Sequence, residues 1–416
     1  MEPTTTSANS AHHSDDIEHW VMDVLQRGLA SEQGTVWWGE ANLGGWYTDE
    51  EVEAAVSSIR TSMDWRVGFG FGKDIEDFEE VFAAYCGARH AVALNSCGTA
   101  LDLLMRCLDL EPGDEVICPA VNYKAAHLAI LGQGGRVVFC DIDPATCNTD
   151  VEDVARRLTP RTRAIFPVHM NGLSAPMEEL LDLASRHPHP THGPPKVLGD
   201  AARSCGAARD GRRVGSVGWA NAFSFHTQKL MTTLGEGGAV TTNDDALAAR
   251  LRRLRHYGGE SEWGSNYRMT TVQAAVGKVQ VRRLDGMNDR RVRLAEKRHR
   301  LFERFPGLSV PFAPPGYRHV YYVYGLLLPV GTSAGERDGL IGTLRERHNI
   351  VCSVSNPPTY ERWSFIREAC GNGALLASED VGRRLICLPI HPCMSEKEDD
   401  FICAAFLETA GSLLKI

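Results

Sequence analysis

From His90 onward, short apolar runs alternate with stretches whose apolar residues recur at helical spacing. Residues 90–94 (HAVAL), 115–118, 136–141, 164–168, 197–200, 219–225 and 238–242 read as strands. Residues 100–108, 125–131, 151–158, 177–185 and 244–255 read as the helices among them. Such alternation implies βαβ units and a mostly parallel sheet, hence an α/β fold. The basic stretch 282–304 carries only scattered apolar residues and reads as a long, largely solvated helix leading to a smaller lobe. Residues 306–315 break the pattern with five prolines and glycines, and 321–328 resume it as a strand. The expected organisation is a polar, flexible tail (1–16), an N-terminal segment with a large domain (17–295) and a small α+β domain (296–416).

Composition narrows the class. At 416 residues the chain can bury a sizeable core, and its 43% apolar and 23% charged content is that of a soluble globular protein. A net charge of −9 argues against nucleic acid as the main partner. The tail lacks an apolar core and is neither signal peptide nor anchor. No run approaches the roughly 20 apolar residues that span a bilayer. Twelve cysteines without paired spacing, several in apolar strands (Cys118, Cys140, Cys387), suit reduced thiols in the cytoplasm. Cys97 reads as a packing thiol. Gly68-Phe69-Gly70-Phe71-Gly72 has the wrong spacing for a dinucleotide loop and reads as a loop near an active-site mouth. His187, His189 and His192 lack a carboxylate or thiolate set at ligand spacing, so no metal is expected.

Three segments carry candidate chemistry. Lys229 follows an aromatic-serine-aromatic strand end (Phe223-Ser224-Phe225) and precedes the glycine-rich Gly235-Glu236-Gly237-Gly238. An amine held on that bend and partly desolvated becomes a Schiff-base nucleophile; on an open loop it is an ordinary surface lysine. Asp200 ends an apolar strand, at the sheet edge where open α/β folds bind ligands. It either caps the following turn or faces a cationic pyridine nitrogen, as pyridoxal phosphate requires. Gly98 and Thr99 open a helix directly after a strand, which makes either a plain N-cap or a phosphate cradle of free N–H groups. Together, a phosphate cradle, a carboxylate and a lysine in that order along the chain make one cofactor site.

These segments resemble the DegT/DnrJ/EryC1/StrS family, the fold-type I aminotransferases that aminate sugars and cyclitols, over about residues 72–392. The resemblance implies a seven-stranded type of sheet and pyridoxal 5'-phosphate as cofactor. Gly98 and Thr99 match the phosphate turn, Tyr123 the aromatic that stacks on the ring, Asp200 the ring-nitrogen partner, Ser224 the phosphate-binding serine and Lys229 the Schiff-base lysine. Asn266, in Gly264-Ser265-Asn266-Tyr267-Arg268-Met269, looks like the asparagine that reaches the cofactor phosphate of a neighbouring subunit, which implies a homodimer with shared active sites. Arg203 stands where the family usually has glutamine or histidine beside the cofactor's phenolic oxygen. Being always charged, it would act on ring electronics or bind a substrate anion. Asn122 and Lys124 also depart from the pattern around Tyr123, and Leu234 lengthens the turn after Lys229 by one residue.

The resemblance implies amino transfer from L-glutamate or L-glutamine to a keto sugar or keto cyclitol. A dehydrating or aromatising enzyme of the same fold is the alternative, because Pro167-Val168-His169-Met170 and Lys229-Leu230-Met231-Thr232 look like the aminohydroxybenzoate synthases. Trp37, Trp38, Trp46 and Trp65 would stack on a substrate ring or pack the N-terminal segment onto the large domain.

Overall fold

A computed structural model describes residues 8–28, 37–69, 72–355, 357–371 and 374–414. Seven strands form the main sheet: β1 (His90–Leu94), β2 (Glu115–Pro119), β3 (Arg136–Cys140), β4 (Thr162–Ile165), β5 (Lys196–Asp200), β6 (Ala220–Ser224) and β7 (Gly238–Thr242). Their order is β1-β7-β6-β5-β4-β2-β3. The pairs β6–β5, β5–β4, β4–β2 and β2–β3 are parallel. Only β7 runs against its neighbours, pairing antiparallel with β1 and β6. The reason is local. Residues 225–237 contain no helix to carry the chain back across the sheet, so β7 returns beside β6 as a hairpin would. The C-terminal ends of β1, β2, β4, β5 and β6 therefore share one edge, and β7 begins there.

Both faces are covered, which is why the strands read as near-continuous apolar runs. Within β1, Ala91 and Ala93 face one core while Val92 and Leu94 face the other. The first core packs helices Lys73–Cys86 and Thr271–Phe302 against the sheet. Phe78, Phe82, Phe223 and Phe225 are fully buried there at centroid separations of 5.0–5.8 Å. Each such side chain contributes about 1.5–3 kcal/mol by burial. The second core seats helices Cys97–Cys107 and Asp245–Leu254. Around the C-terminal strands β8 (Tyr324–Leu327) and β9 (Leu385–Leu388), which pair antiparallel, a further core gathers helices Ala334–His348 and Glu396–Leu414. No helix among the described residues is long and apolar enough to cross a membrane.

Several boundaries differ from the sequence reading. The long helix starts at Thr271, where Thr270 and Gln273 form a capping box, and runs to Phe302, so the expected division at 295/296 falls inside it. It is not largely solvated: Leu284, Met287, Asn288, Arg291, Leu294 and Arg298 are buried. Its arginines misled because some find partners inside. Arg298 Nε donates to Asp399 at 2.7 Å and Nη2 to the Pro389 carbonyl at 2.6 Å, with both side chains wholly buried. The expected tail overlaps helix Ala8–Arg27, whose Ile17 and Val21 pack into the C-terminal core; residues 1–7 lie outside the described residues. Strand β8 is shorter than expected because Tyr321 takes a left-handed backbone (φ 48°), which bends the chain ahead of it.

Candidate active site

The shared edge opens onto a cavity of about 760 Å³. Its sheet-side wall comes from strand ends: Ser96, Cys97 and Gly98 after β1, Asn122 and Tyr123 after β2, Asp200 closing β5, Ser224 closing β6, and Lys229 in the β6–β7 connection. Close approach of β7 to the first turn depends on Gly238, since a Cβ there would lie 2.5 Å from the Cys97 nitrogen. Ser96 caps the 11-residue helix Cys97–Cys107 by accepting from Thr99 N–H at 3.1 Å, and a helix start of this kind at the cavity can receive an anion. The Thr99 hydroxyl itself donates to Asn95 at 2.7 Å and does not line the cavity. Tyr123 lines it with its ring half exposed.

Asp200 is buried, and Oδ1 accepts from Ala202 N–H at 3.0 Å. Burial raises its pKa despite that hydrogen bond and the nearby Arg203 and Lys229 charges, so the site calls for a cationic partner. Lys229 Nζ donates to Tyr322 Oη at 3.1 Å and lies 4.0 Å from Glu40 Oε1. Burial first and the Arg203 charge second bring its pKa down to about 8, against the pull of Glu40, Cys97 and Asp200. A lysine so placed is a nucleophile near neutral pH. A buried carboxylate, a reactive amine, a helix N-terminus and Ser224 at one cavity fit the chemistry of pyridoxal phosphate.

On the opposite wall the sequence pointed to Arg203 and, by resemblance, to the loops 37–46 and 353–363, but to none of the residues of those loops that line it. Glu40, Ser353, Val354, Ser355, Arg337 and Arg362 line it, and Tyr322 reaches in beside them. Arg203 Nη1 donates to Ser355 Oγ at 2.6 Å and to Asn171 Oδ1 at 3.5 Å, while its guanidinium stands 5.4 Å from the Tyr322 ring centre. Burial would raise the Glu40 pKa, but Arg203, Lys229 and the Tyr322 hydroxyl together hold it below the usual value. The signal for Glu40 was thin: one acid in a tryptophan- and glycine-rich loop.

Other expectations resolve by position. Asn266 lies away from this cavity, its Oδ1 accepting from Arg268 Nε at 2.8 Å. Leu234, the inserted residue, adopts a left-handed backbone (φ 60°) and its N–H donates to Tyr47 Oη at 3.1 Å. Lys124 sets its ammonium 3.9 Å from the Trp363 ring centre instead of standing free in solvent. Trp37 and Trp46 pack against the cores, Trp38 and Trp65 are exposed, and none lines the cavity. Gly68, Phe69 and Gly72 do not line it either; Gly70 and Phe71 lie outside the described residues. His169 is buried, with Nδ1 accepting from Ala175 N–H, which leaves Nε2 to donate to Asn221 Oδ1 at 3.2 Å.

The sequence profile of the DegT/DnrJ/EryC1/StrS aminotransferase family matches residues 47–407. The spore coat polysaccharide biosynthesis protein SpsC of Bacillus subtilis is 34% identical, over 86% of this chain and 93% of its own. GDP-perosamine synthase of Caulobacter vibrioides is 36% identical, over 80% and 89%. Among solved structures, DesV of S. venezuelae superposes with a TM-score of 0.78 at 33% identity, over 86% of this chain and 95% of that one.

Proposed function

Because the chain belongs to the DegT/DnrJ/EryC1/StrS aminotransferase family of pyridoxal phosphate-dependent enzymes, we propose that it moves an amino group from L-glutamate or L-glutamine to a nucleotide-linked keto sugar. The observation that carries this reading is the convergence of Lys229, Asp200 and the Ser96–Gly98 helix start on one cavity. Relatives named for spore coat polysaccharide biosynthesis and GDP-perosamine synthesis support a sugar as acceptor.

Pyridoxal phosphate, when bound, supplies an electron sink for the carbon that loses its proton. Its phosphate would be held by the N–H groups at Cys97 and Gly98 and by Ser224, with Thr99 steadying the turn through Asn95. Tyr123 would lie against its ring, and Asp200 would keep a proton on the ring nitrogen. Lys229 Nζ would hold the cofactor and, once freed, would serve as the base for the proton on the donor's α-carbon. Arg203 adds positive charge on the side of Tyr322 and Glu40.

A second copy completes the site in this reading. Helix Asp49–Ser62 and its C-cap present Val52, Val56, Ile59 and Met63 as an exposed apolar stripe at helical spacing, continued by Trp65. A two-fold dimer covers that stripe and brings in Asn266 of the partner subunit. All twelve cysteines are free thiols, which suits work in the cytoplasm. The test is a half-reaction. Cofactor-loaded enzyme mixed with L-glutamate or L-glutamine should release the matching 2-oxo acid once per site, then turn over with a nucleotide-linked keto sugar. Water elimination with no release from either donor would move the protein to the dehydrating alternative. A fully active monomer in sedimentation would remove the shared site.

A further inference from the structure

Residues 37–48 cross from the C-terminal lobe to the large one as a strap. Gly39 N–H donates to the Val351 carbonyl at 2.6 Å, and His391 Nε2 to the Leu43 carbonyl at 2.8 Å. Gly44 N–H donates to the Thr227 carbonyl at 2.9 Å, and the Thr227 hydroxyl returns a bond to the Asn42 carbonyl at 3.0 Å. The contact is close enough that a Cβ on Gly44 would sit 2.1 Å from the Gln228 carbonyl oxygen and 2.3 Å from that of Lys229. The strap is thus tied to the lysine's own loop, and it places Glu40 in the cavity. Tyr322 arrives from the other side, its backbone N–H bonded to the Asn171 carbonyl at 2.9 Å. The tyrosine is 6% exposed, and its hydroxyl donates to Glu40 Oε1.

A tyrosine hydroxyl has one hydrogen. With that hydrogen committed to Glu40, the oxygen toward Lys229 can only accept. We infer that Tyr322 is the positioning residue for the Lys229 amine and that Glu40, delivered by the strap, fixes Tyr322 in that acceptor role. The amine must then offer an N–H to Tyr322, which leaves the lone pair of its neutral form for the substrate proton. Glu40 also supplies the negative charge that keeps the amine from being depressed further beside Arg203. The groups that face Lys229 are Arg203, Glu40, Asp200, Cys97 and Tyr322. What the freed amine does rests on the aminotransferase reading; how it is seated does not.

Competitive acetylation of the full chain freed of cofactor, followed across pH by mass spectrometry of the Lys229 peptide, reads the seat without catalysis. The native midpoint is expected near 8, against an ordinary lysine at 10.5. Tyr322→Phe keeps the ring and removes the acceptor; Glu40→Gln keeps the size and removes the charge. Both should lower the midpoint, Glu40→Gln by about one pH unit, as loss of an opposite charge at this range does. In the holoenzyme, both should slow 2-oxo acid release from the amino donor by about 10- to 100-fold with KM for the donor unchanged. Midpoints unmoved in both variants overturn the inference. A shift in Glu40→Gln alone also overturns it, since the carboxylate would then act through space and not through the tyrosine. Shifted midpoints in an enzyme that releases no 2-oxo acid would keep the seat and refute the aminotransferase reading instead.

Discussion

The cavity has two walls built on different principles. On the sheet side, Asp200 ends β5 and Ser224 ends β6, and their place follows from a backbone ladder in which Asp200 pairs with Ala222 and Ser224 with Gly238. On the strap side, Glu40, Tyr322, Ser355 and Arg203 meet through separate hydrogen bonds among residues 37–48, 171, 203, 322 and 355. A ladder fixes several residues at once; a set of single bonds fixes each by itself. Damage to the first wall should therefore be steep and to the second graded.

The steepest loss is expected at the sheet edge. Lys229→Ala removes nucleophile and base together and should cut turnover by at least about 10⁴-fold. Loss of the cofactor's visible absorbance at neutral pH checks it, and full turnover in that variant would reject the site. Asp200→Asn keeps shape and burial but takes away the charge opposite the ring nitrogen. Turnover should fall about 10²- to 10³-fold with cofactor still bound, as when one preorganised electrostatic contact is removed. A smaller loss than that from Glu40→Gln would reverse the ranking of the two walls.

Gly44→Ala attacks the strap without touching a side chain in the cavity. The new methyl group must displace either the strap or the Gln228–Lys229 backbone, at a cost of about 1–3 kcal/mol of stability. If the strap yields, Glu40 withdraws and the Lys229 acetylation midpoint moves down, as in Glu40→Gln. Denaturant unfolding and the labelling profile together check this. An unchanged midpoint in a destabilised protein would mean that the strap carries stability only.

The same contrast explains what could be read from sequence. Strands with regular periodicity end where their apolar run ends, so Asp200 and the Gly98–Thr99 helix start were visible at one edge, while Ser224 entered through the family resemblance. Lys229 was visible because a glycine-rich turn follows it. Glu40 was not, because nothing in a short loop says which distant chain it will cross. Tyr322 was hidden in an apolar run that reads as one strand from 321 to 328; the left-handed Tyr321 that bends the run is a tertiary effect. The long helix was misjudged for a related reason. Arginines look solvated in a sequence, and Arg298 is buried only because Asp399 lies about a hundred positions away in the chain. Periodicity reports what a segment does with its own neighbours, and pairing across the fold leaves no mark in it.

Arg203 belongs to the strap side, and its removal should disturb the substrate kinetics least. The sequence left two roles open, a charge beside the cofactor or a clamp for a substrate anion. The bond to Ser355 Oγ, with Asn171 behind it, holds the guanidinium against the wall and makes a free swing toward substrate expensive. From there it acts on Lys229 as a nearby cation, disfavouring the ammonium. Arg203→Gln should therefore raise the Lys229 labelling midpoint, the opposite sign to Glu40→Gln and at least as large, by about one pH unit. Donor and acceptor KM should stay within about threefold of the native values if no substrate group pairs with the arginine. Ser355→Ala tests the anchor separately: it removes one hydrogen bond to the guanidinium without removing its charge, so the midpoint should move less than in Arg203→Gln. A midpoint unmoved in Arg203→Gln, with KM for one substrate raised tenfold or more, would hand the arginine to the substrate and leave Glu40 and Tyr322 as the only strap-side groups acting on the amine.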